Sequence, residues 1–200
     1  TVVKADFVTK LLEELSKIPP SVAGIPLKEG EHIAYAGLVK WFSITLPHIY
    51  SLAEARRRSS NVYAIGGGVA FHRSVIDKIG LWDERYFLYF EDADFSMRAR
   101  KAGVQIIPLE GPIIEHAGSA STKKLGDPLL LRYHARNSLL FTAKNGSWQA
   151  KAFLPYWFAL TSLKQFIKII LYPTKKVPSR AILDGIKDFY KKRFYKINND

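Results

Sequence analysis

Between Asn61 and Leu109 the chain alternates β-branched or aromatic runs with helical patterns closed by glycine, and this alternation is what most restricts its fold. NVYAIGGGVAFH (61–72) reads as a strand interrupted by three glycines, and Arg73 to Ile79 as a short helix stopped at Gly80. Glu91 to Ala102 reads as a second helix stopped at Gly103, with Val104 to Leu109 and Pro112 to His116 as short strands after it. Such a succession builds an α/β domain, because a helix face and a sheet face each need the other to bury their apolar residues. Upstream, Asp6 is placed to cap a helix in which Phe7, Val8, Leu11, Leu12, Leu15 and Ile18 keep a helical period, ended by Pro19 and Pro20. Ser21 to Leu27 is a strand, followed by a turn at Lys28, Glu29 and Gly30; His32 to Tyr50 reads as two strands or an irregular hairpin. Ala53 to Ser60, with Arg56, Arg57 and Arg58, reads as an exposed, mobile loop.

Beyond Gly118 the character changes. Pro128 to Lys144 is a helix with Asp127 as cap and Asn145-Gly146 as stop, Ala150 to Leu171 is a longer and more apolar one, and Ile182 to Phe194 is a basic amphipathic one. Up to Thr122 the chain carries 14 Lys and Arg against 14 Asp and Glu; from Lys123 on it carries 16 against 4, so the net +12 lies entirely in the C-terminal segment. Such a segment suits an anionic membrane surface or nucleic acid. Lys164, Lys168 and Pro155 make the long helix a poor membrane span and a better interfacial helix, with Trp148, Tyr156, Trp157 and Phe158 as interfacial aromatics beside Lys164, Lys168, Lys175 and Lys176. A helical cap with a solvated basic face is the plainer alternative. The absence of Cys excludes disulfides, thiolate zinc sites and cysteine nucleophiles, so any metal must be held by Asp, Glu, His or water.

YFLYFEDADFSMRARKAG (86–103) delivers Glu91, Asp92 and Asp94 to a helix start directly behind an apolar run. Acids suit the positive end of a helix, and Asp94 with Arg98 at i,i+4 makes an ordinary pair. Asp92 beside Glu91 behind the aromatics is not covered by that account, and an acid facing a pocket there can be tuned as a base. His116, at a strand end, is either structural or a ligand for a metal such as Mn²⁺ or for phosphate. Gly66, Gly67 and Gly68 match neither a dinucleotide fingerprint nor a P-loop and are either a bulge or a groove floor where substrate meets backbone. Arg132, His134 and Arg136 read either as a diphosphate site on a helix or, more commonly, as its solvated face. A non-enzymatic basic module contacting membrane or nucleic acid, and a metal-dependent phosphotransferase or hydrolase using the acids at 91 to 94, are the competing classes.

The order GGGVAFHRSVIDKIG, LWDERYFLYFEDADFSMRARKAG, IIEHAGSAS and RYHARNSLLFTAKNG resembles the rhamnosyltransferase-like branch of the family 2 glycosyltransferases, from Thr1 to roughly Gly146. The resemblance implies an α/β, partial GT-A (Rossmann-like) domain with a mixed sheet over residues 1–125, its acceptor-side half, followed by a basic, aromatic helical extension over 126–200. It implies an inverting transfer from a nucleotide-diphosphate sugar to a glycan or lipid-linked acceptor, in cell-surface polysaccharide or glycoconjugate synthesis. Asp92 is then the general base, Glu91, Asp94 and Gly66 to Gly68 line the acceptor site, and His116 helps coordinate a divalent metal, Mn or Mg. In that family a nucleotide-binding half with an Asp-x-Asp motif precedes the segment seen here. The chain on its own is therefore expected to be inactive, with the metal bound only alongside that half and with a sheet edge open to self-association. Expected partners are the donor, the acceptor and an anionic membrane surface, not nucleic acid; the expected place is the cytoplasm, peripheral on the inner face of the membrane.

Overall fold

The computed structural model describes residues 2–58, 60–115 and 127–197. They form two compact units: Thr1–Lys40 with Thr45–Trp82 and Asp92–Gly118, and Trp41–Ile44 with Asp83–Glu91 and Ser119–Asp200.

The first unit is α/β with small mixed sheets. In order it contains α1 (Phe7–Leu15), β1 (Val22–Gly24), β2 (Leu27–Glu29), β3 (His32–Ala34), β4 (Ala36–Leu38), β5 (His48–Ile49), α2 (Leu52–Arg57), β6 (Val62–Tyr63), β7 (Val69–Phe71), α3 (Arg73–Ile79), α4 (Glu91–Lys101), β8 (Ile106–Pro108) and β9 (Ile114–Glu115). β1 lies between β7, antiparallel, and β8, parallel, with Val22 opposite both Phe71 and Ile106. β2 lies likewise between β3, antiparallel, and β9, parallel, while β4 pairs antiparallel with β5 and β6. Successive strand residues point to opposite faces, and β1 shows the consequence. Val22 packs with Val75 of α3 and with Phe95 and Ala99 of α4. Its neighbour Ala23 belongs to the cluster of Ile25, Leu27, Leu109 and Ile114, which Phe7, Leu11 and Leu15 of α1 cover. Helices on both faces of the sheet follow from that alternation.

Four local expectations change. Asp6 makes no side-chain cap; its carboxylate pairs with Lys10 at 2.7 Å, one turn along the helix it precedes. Lys28 and Glu29 are strand residues, so the reversal falls at Gly30 (φ 61°) and Glu31. Residues 52–57 are a helix rather than a loop, because Ser51 Oγ accepts the Glu54 N–H and Ala55 is buried beneath the arginines. The last helix begins at Lys176 rather than Ile182.

The second unit contains α5 (Asp127–Asn145), α6 (Trp148–Leu171), a 3₁₀ turn (Pro173–Lys175) and α7 (Lys176–Tyr190). α5 and α7 approach closely where Gly185 meets the Arg132 carbonyl, a site with no room for a Cβ. Asp188 of α7, almost fully buried, takes the Arg132 guanidinium at 2.6 Å. Ala135, Leu139 and Ile186 form the core of this unit, and Leu154, Trp157 and Phe158 of α6 pack onto it. Trp157 and Phe158 thus face protein, not an interface with solvent or lipid. Arg136 is not on a solvated face either: it is fully buried.

Candidate active site

α4 carries the acids, and its placement has a geometric cause. Three side chains one turn apart, Asp92, Ser96 and Arg100, each meet the backbone of the segment running the other way from Gly66 to Val62. Gly66 N–H donates to Asp92 Oδ2 at 2.9 Å, Ala64 N–H to Ser96 Oγ at 3.1 Å, and Arg100 donates to the Val62 carbonyl at 2.7 Å. Four helical residues rise about 6.0 Å. Two extended residues rise about 6.6 Å, so the two repeats stay in step over three contacts. Tyr63 and Ala64 are buried, as is Ser96, so the middle contact satisfies an amide that would otherwise have no partner.

This ladder fixes the carboxylate of Asp92 against the glycine turn. Its Oδ1 accepts the Ala93 N–H at 2.7 Å. With the residue's own amide also drawn to the carboxylate, three amides are answered and a lone pair remains able to accept a proton from a hydroxyl. Burial pushes the Asp92 carboxyl above its usual range, against the pull of the Gly66, Ala93 and its own backbone amides and the weaker pull of His48. His48 Nδ1 lies 3.0 Å from Glu29 Oε2, which also accepts from the Tyr50 hydroxyl at 3.5 Å.

Gly66, Gly67 and Gly68 form the turn between β6 and β7, closed by Gly68 N–H on the Ile65 carbonyl at 2.9 Å. Gly66 and Gly67 are exposed and Gly68 is buried. Their reason is close approach. A Cβ on Gly66 would stand 3.2 Å from Cβ of Asp92, one on Gly67 would stand 2.8 Å from Leu27 Cδ1, and one on Gly68 would stand 2.9 Å from the Ile25 carbonyl oxygen.

The other acids have different fates. Asp94 is fully buried and takes Arg98 Nε at 2.8 Å, the pair its spacing implies; Arg98 also donates to the Ile79 and Leu81 carbonyls at the end of α3. Glu91 is half-buried at the first position of α4. His116 lies outside the described residues. Among the described residues no three His, Asp or Glu come together in a set fit to hold a metal ion.

The aromatic run ahead of the acids is held in a way its sequence does not disclose. Tyr86 and Phe90 are buried, and Phe87, Tyr89 and Phe90 have φ of 60°, 65° and 71°, a region that bulky L-residues rarely occupy. Such a backbone persists only where its surroundings over-determine it. Here two adjacent, fully buried residues of α5 do so. Asn137 Nδ2 donates to the carbonyls of Tyr86, Leu88 and Tyr89 at 2.8, 2.6 and 3.2 Å, and Arg136 donates to those of Arg85 and Tyr86 at 3.2 and 2.9 Å. Arg136 reaches the carbonyls of Arg193 and Tyr195 as well. At the head of the segment, Arg85 first and Lys144 second hold the Asp83 carboxyl well below the usual carboxylate range.

The structure brings Asp92 and the run of three glycines singled out in the sequence into contact, and adds Ser96, Arg100, His48 and the Arg136-Asn137 pair, which sequence reasoning did not place there. Ser96 and Arg100 had a signal, the spacing of 92, 96 and 100 on one helix face. The others are brought in by tertiary contacts that spacing does not encode.

The architecture is that of an α/β domain presenting a half-buried carboxylate beside a glycine turn. Two proteins, from Mycobacterium tuberculosis strains CDC 1551 / Oshkosh and ATCC 25618 / H37Rv, are similar to the chain at 33% identity over 88 residues, and both are N-acetylglucosaminyl-diphospho-decaprenol L-rhamnosyltransferases. The similar stretch is 42% of this chain and only 28% of each relative. No protein-family model matches the chain. Over that stretch the chain is distantly similar to a glycosyltransferase.

Proposed function

We propose that this chain is the acceptor-side part of an inverting glycosyltransferase with a GT-A architecture, and that Asp92 is its general base. The carboxylate takes the proton of an acceptor hydroxyl while that oxygen attacks the anomeric carbon of a nucleotide-linked sugar. The bond to the nucleoside diphosphate breaks on the opposite side, the diphosphate leaves with its electron pair, and configuration inverts. The observation that carries this reading is the state of Asp92: raised proton affinity, fixed orientation and a lone pair still open, against a turn without side chains where a sugar ring can lie on backbone. A base needs to lie within hydrogen-bond reach of its proton, and the ladder from α4 supplies the rigidity that requires. Asp94 with Arg98 and Glu91 shape the ground beneath it. The acceptor class favoured is a sugar on a lipid diphosphate, by analogy with the names of the relatives, in the assembly of a cell-surface glycan or glycoconjugate. The described residues offer no donor set for a divalent ion, so no step is assigned to one.

The test is transfer of labelled sugar from a panel of nucleotide-diphosphate sugars to an N-acetylglucosaminyl-diphospho-lipid, run on the 200-residue chain and on the full translation product of its reading frame. The chain alone is expected to be inactive. In the full product, Asp92→Asn is expected to lower kcat by about 10²–10⁴ with acceptor binding kept, the range of a lost general base. Transfer by Asp92→Asn at the wild-type rate would remove Asp92 from the mechanism.

A further inference from the structure

We infer that α6 is a docking element for an anionic lipid bilayer, lying in the plane of the membrane surface. This does not depend on the sugar-transfer reading.

One side of α6 packs on α5 and α7 through Leu154, Trp157 and Phe158, with Gln165 buried among them. The opposite side is apolar from Trp148 to Ile170 except for Gln149 at one edge. Trp148, Tyr156, Leu163, Phe166, Ile167 and Ile170 are 45–77% exposed, and at about 100° per residue they fall within one face about 100° wide. Ala152 and Ala159, exposed as well, fill the same face, Pro155 and Leu160 lie within about 20° of its edges, and no charged residue interrupts it. Among the described residues nothing covers it. A face of this width is what a helix normally turns toward a core, so its exposure calls for an occupant.

Three observations select a lipid surface. Lys151 and Lys164, both exposed, flank the face on its two sides, and Lys175, Lys176 and Arg180 follow directly beyond its end, within a segment that holds the whole positive excess of the chain. Anionic headgroups answer that charge, whereas a second copy would bring the same cations against themselves. Trp148 opens the helix and Tyr172 closes it, both more than half exposed, the residue types that suit the boundary between hydrocarbon and water. No helix among the described residues is long and apolar enough to cross a membrane, so insertion as a span is not the alternative. An apolar face bordered by lysines on a helix that cannot span describes an interfacial helix. Trp157 and Phe158 take no part, being turned toward the unit's own core.

The experiment is vesicle co-sedimentation of the purified chain with phosphatidylcholine alone and with about a third phosphatidylglycerol, a strongly anionic surface. Wild type is expected to bind the anionic vesicles at least tenfold more tightly than the neutral ones, with Trp148 fluorescence, taken as the difference from Trp148→Phe, shifting to the blue. The double variant Phe166→Asp, Ile170→Asp places both charges on solvent-exposed positions, so it is expected to fold, checked by circular dichroism, and to lose binding at least tenfold. Lys151→Glu, Lys164→Glu is expected to lose the preference for anionic lipid. Three results overturn the inference: no binding to either vesicle, equal binding to both, or a wild-type dimer in sedimentation equilibrium that the Phe166→Asp, Ile170→Asp variant converts to monomer.

Discussion

Arg136 is the residue whose loss should be felt most sharply in the second unit. Its guanidinium donates to the carbonyls of Arg85, Tyr86, Arg193 and Tyr195 at 2.8–3.2 Å and is fully buried. Two of these acceptors keep another donor, since Arg85 O takes the Tyr195 N–H at 2.9 Å and Tyr86 O takes Asn137. Two, the carbonyls of Arg193 and Tyr195, depend on Arg136 among the bonds described. Hydrogen bonds to a charged group contribute about 1.5–3 kcal/mol each. Replacing Arg136 by Met, which keeps most of its volume, should therefore destabilise the unit by about 3–5 kcal/mol. Arg136→Lys keeps the charge but not the fork, so it can serve fewer of the carbonyls at once and should cost about 1.5–3 kcal/mol. Urea unfolding followed by circular dichroism reads both: at a slope of about 2 kcal/mol per M, the Met variant should lose about 1.5–2.5 M in midpoint. Hydrogen exchange at the amides of residues 86–90 should accelerate in the same order, because one of the two side chains that hold the carbonyls just ahead of the left-handed residues Phe87, Tyr89 and Phe90 is lost. A Met variant within about 1 kcal/mol of wild type would refute the clamp, and so would a Lys variant worse than Met.

Ser96→Ala leaves the Ala64 amide buried without an acceptor and should cost about 1–3 kcal/mol in urea unfolding, against almost nothing for Ser96→Thr if the hydroxyl alone matters. Gly68→Ala drives a Cβ to 2.9 Å from the Ile25 carbonyl oxygen, a backbone atom, and should cost about 1–3 kcal/mol, whereas Gly67→Ala meets only the movable end of Leu27 and should cost less than about 1 kcal/mol. Equal thermal shifts for the two alanines would contradict the close-approach account. Burial raises the Asp92 carboxyl in the fold, so its ionisation opposes folding: the penalty is absent below the unfolded value of about 3.9 and complete once pH passes the folded one. Asp92→Asn should accordingly be more stable than wild type at pH 7, by a margin that closes as pH falls to 3, and an Asn variant less stable at pH 7 would make Asp92 a structural residue.

What could be read in the sequence was whatever local chemistry decides. Gly80 and Gly103 end their helices with φ of 71° and 77°, the backbone glycine favours, and both stops are visible as letters. The helix over 52–57 was missed because Arg56 and Arg57, with Arg58 just after them, look like a charge run, while its cap and its one buried residue, Ala55, are quiet signals. Arg136 was misjudged for a related reason. Spacing on α5 cannot say which side of the helix is covered by α7 and by residues 83–91, which are about 50 positions away in the chain, and burial of a cation follows from those contacts alone. Trp157 and Phe158 show the converse: aromatics beside Tyr156 all look interfacial, but a helix turns 100° per residue and carries its neighbours to the other side.

The same rotation explains the three acids that stand together at 91, 92 and 94. On α4 Asp92 and Asp94 are two residues apart, about 200° around the axis, so they must point to nearly opposite sides. If Asp92 faces the glycine turn, Asp94 faces inward, and an inward carboxylate is tolerable only with a cation in contact. Arg98, one further turn along, is that cation, and it joins Asp94 to the carbonyl end of α3. A shared-proton pair of carboxylates, or two acids on one metal, is therefore closed to Asp92 and Asp94 by helical geometry. The motif leaves one carboxylate at the turn, on a helix held from behind by an ion pair and along its side by Ser96 and Arg100, and that is the arrangement on which the proposed role of Asp92 as a single fixed base rests.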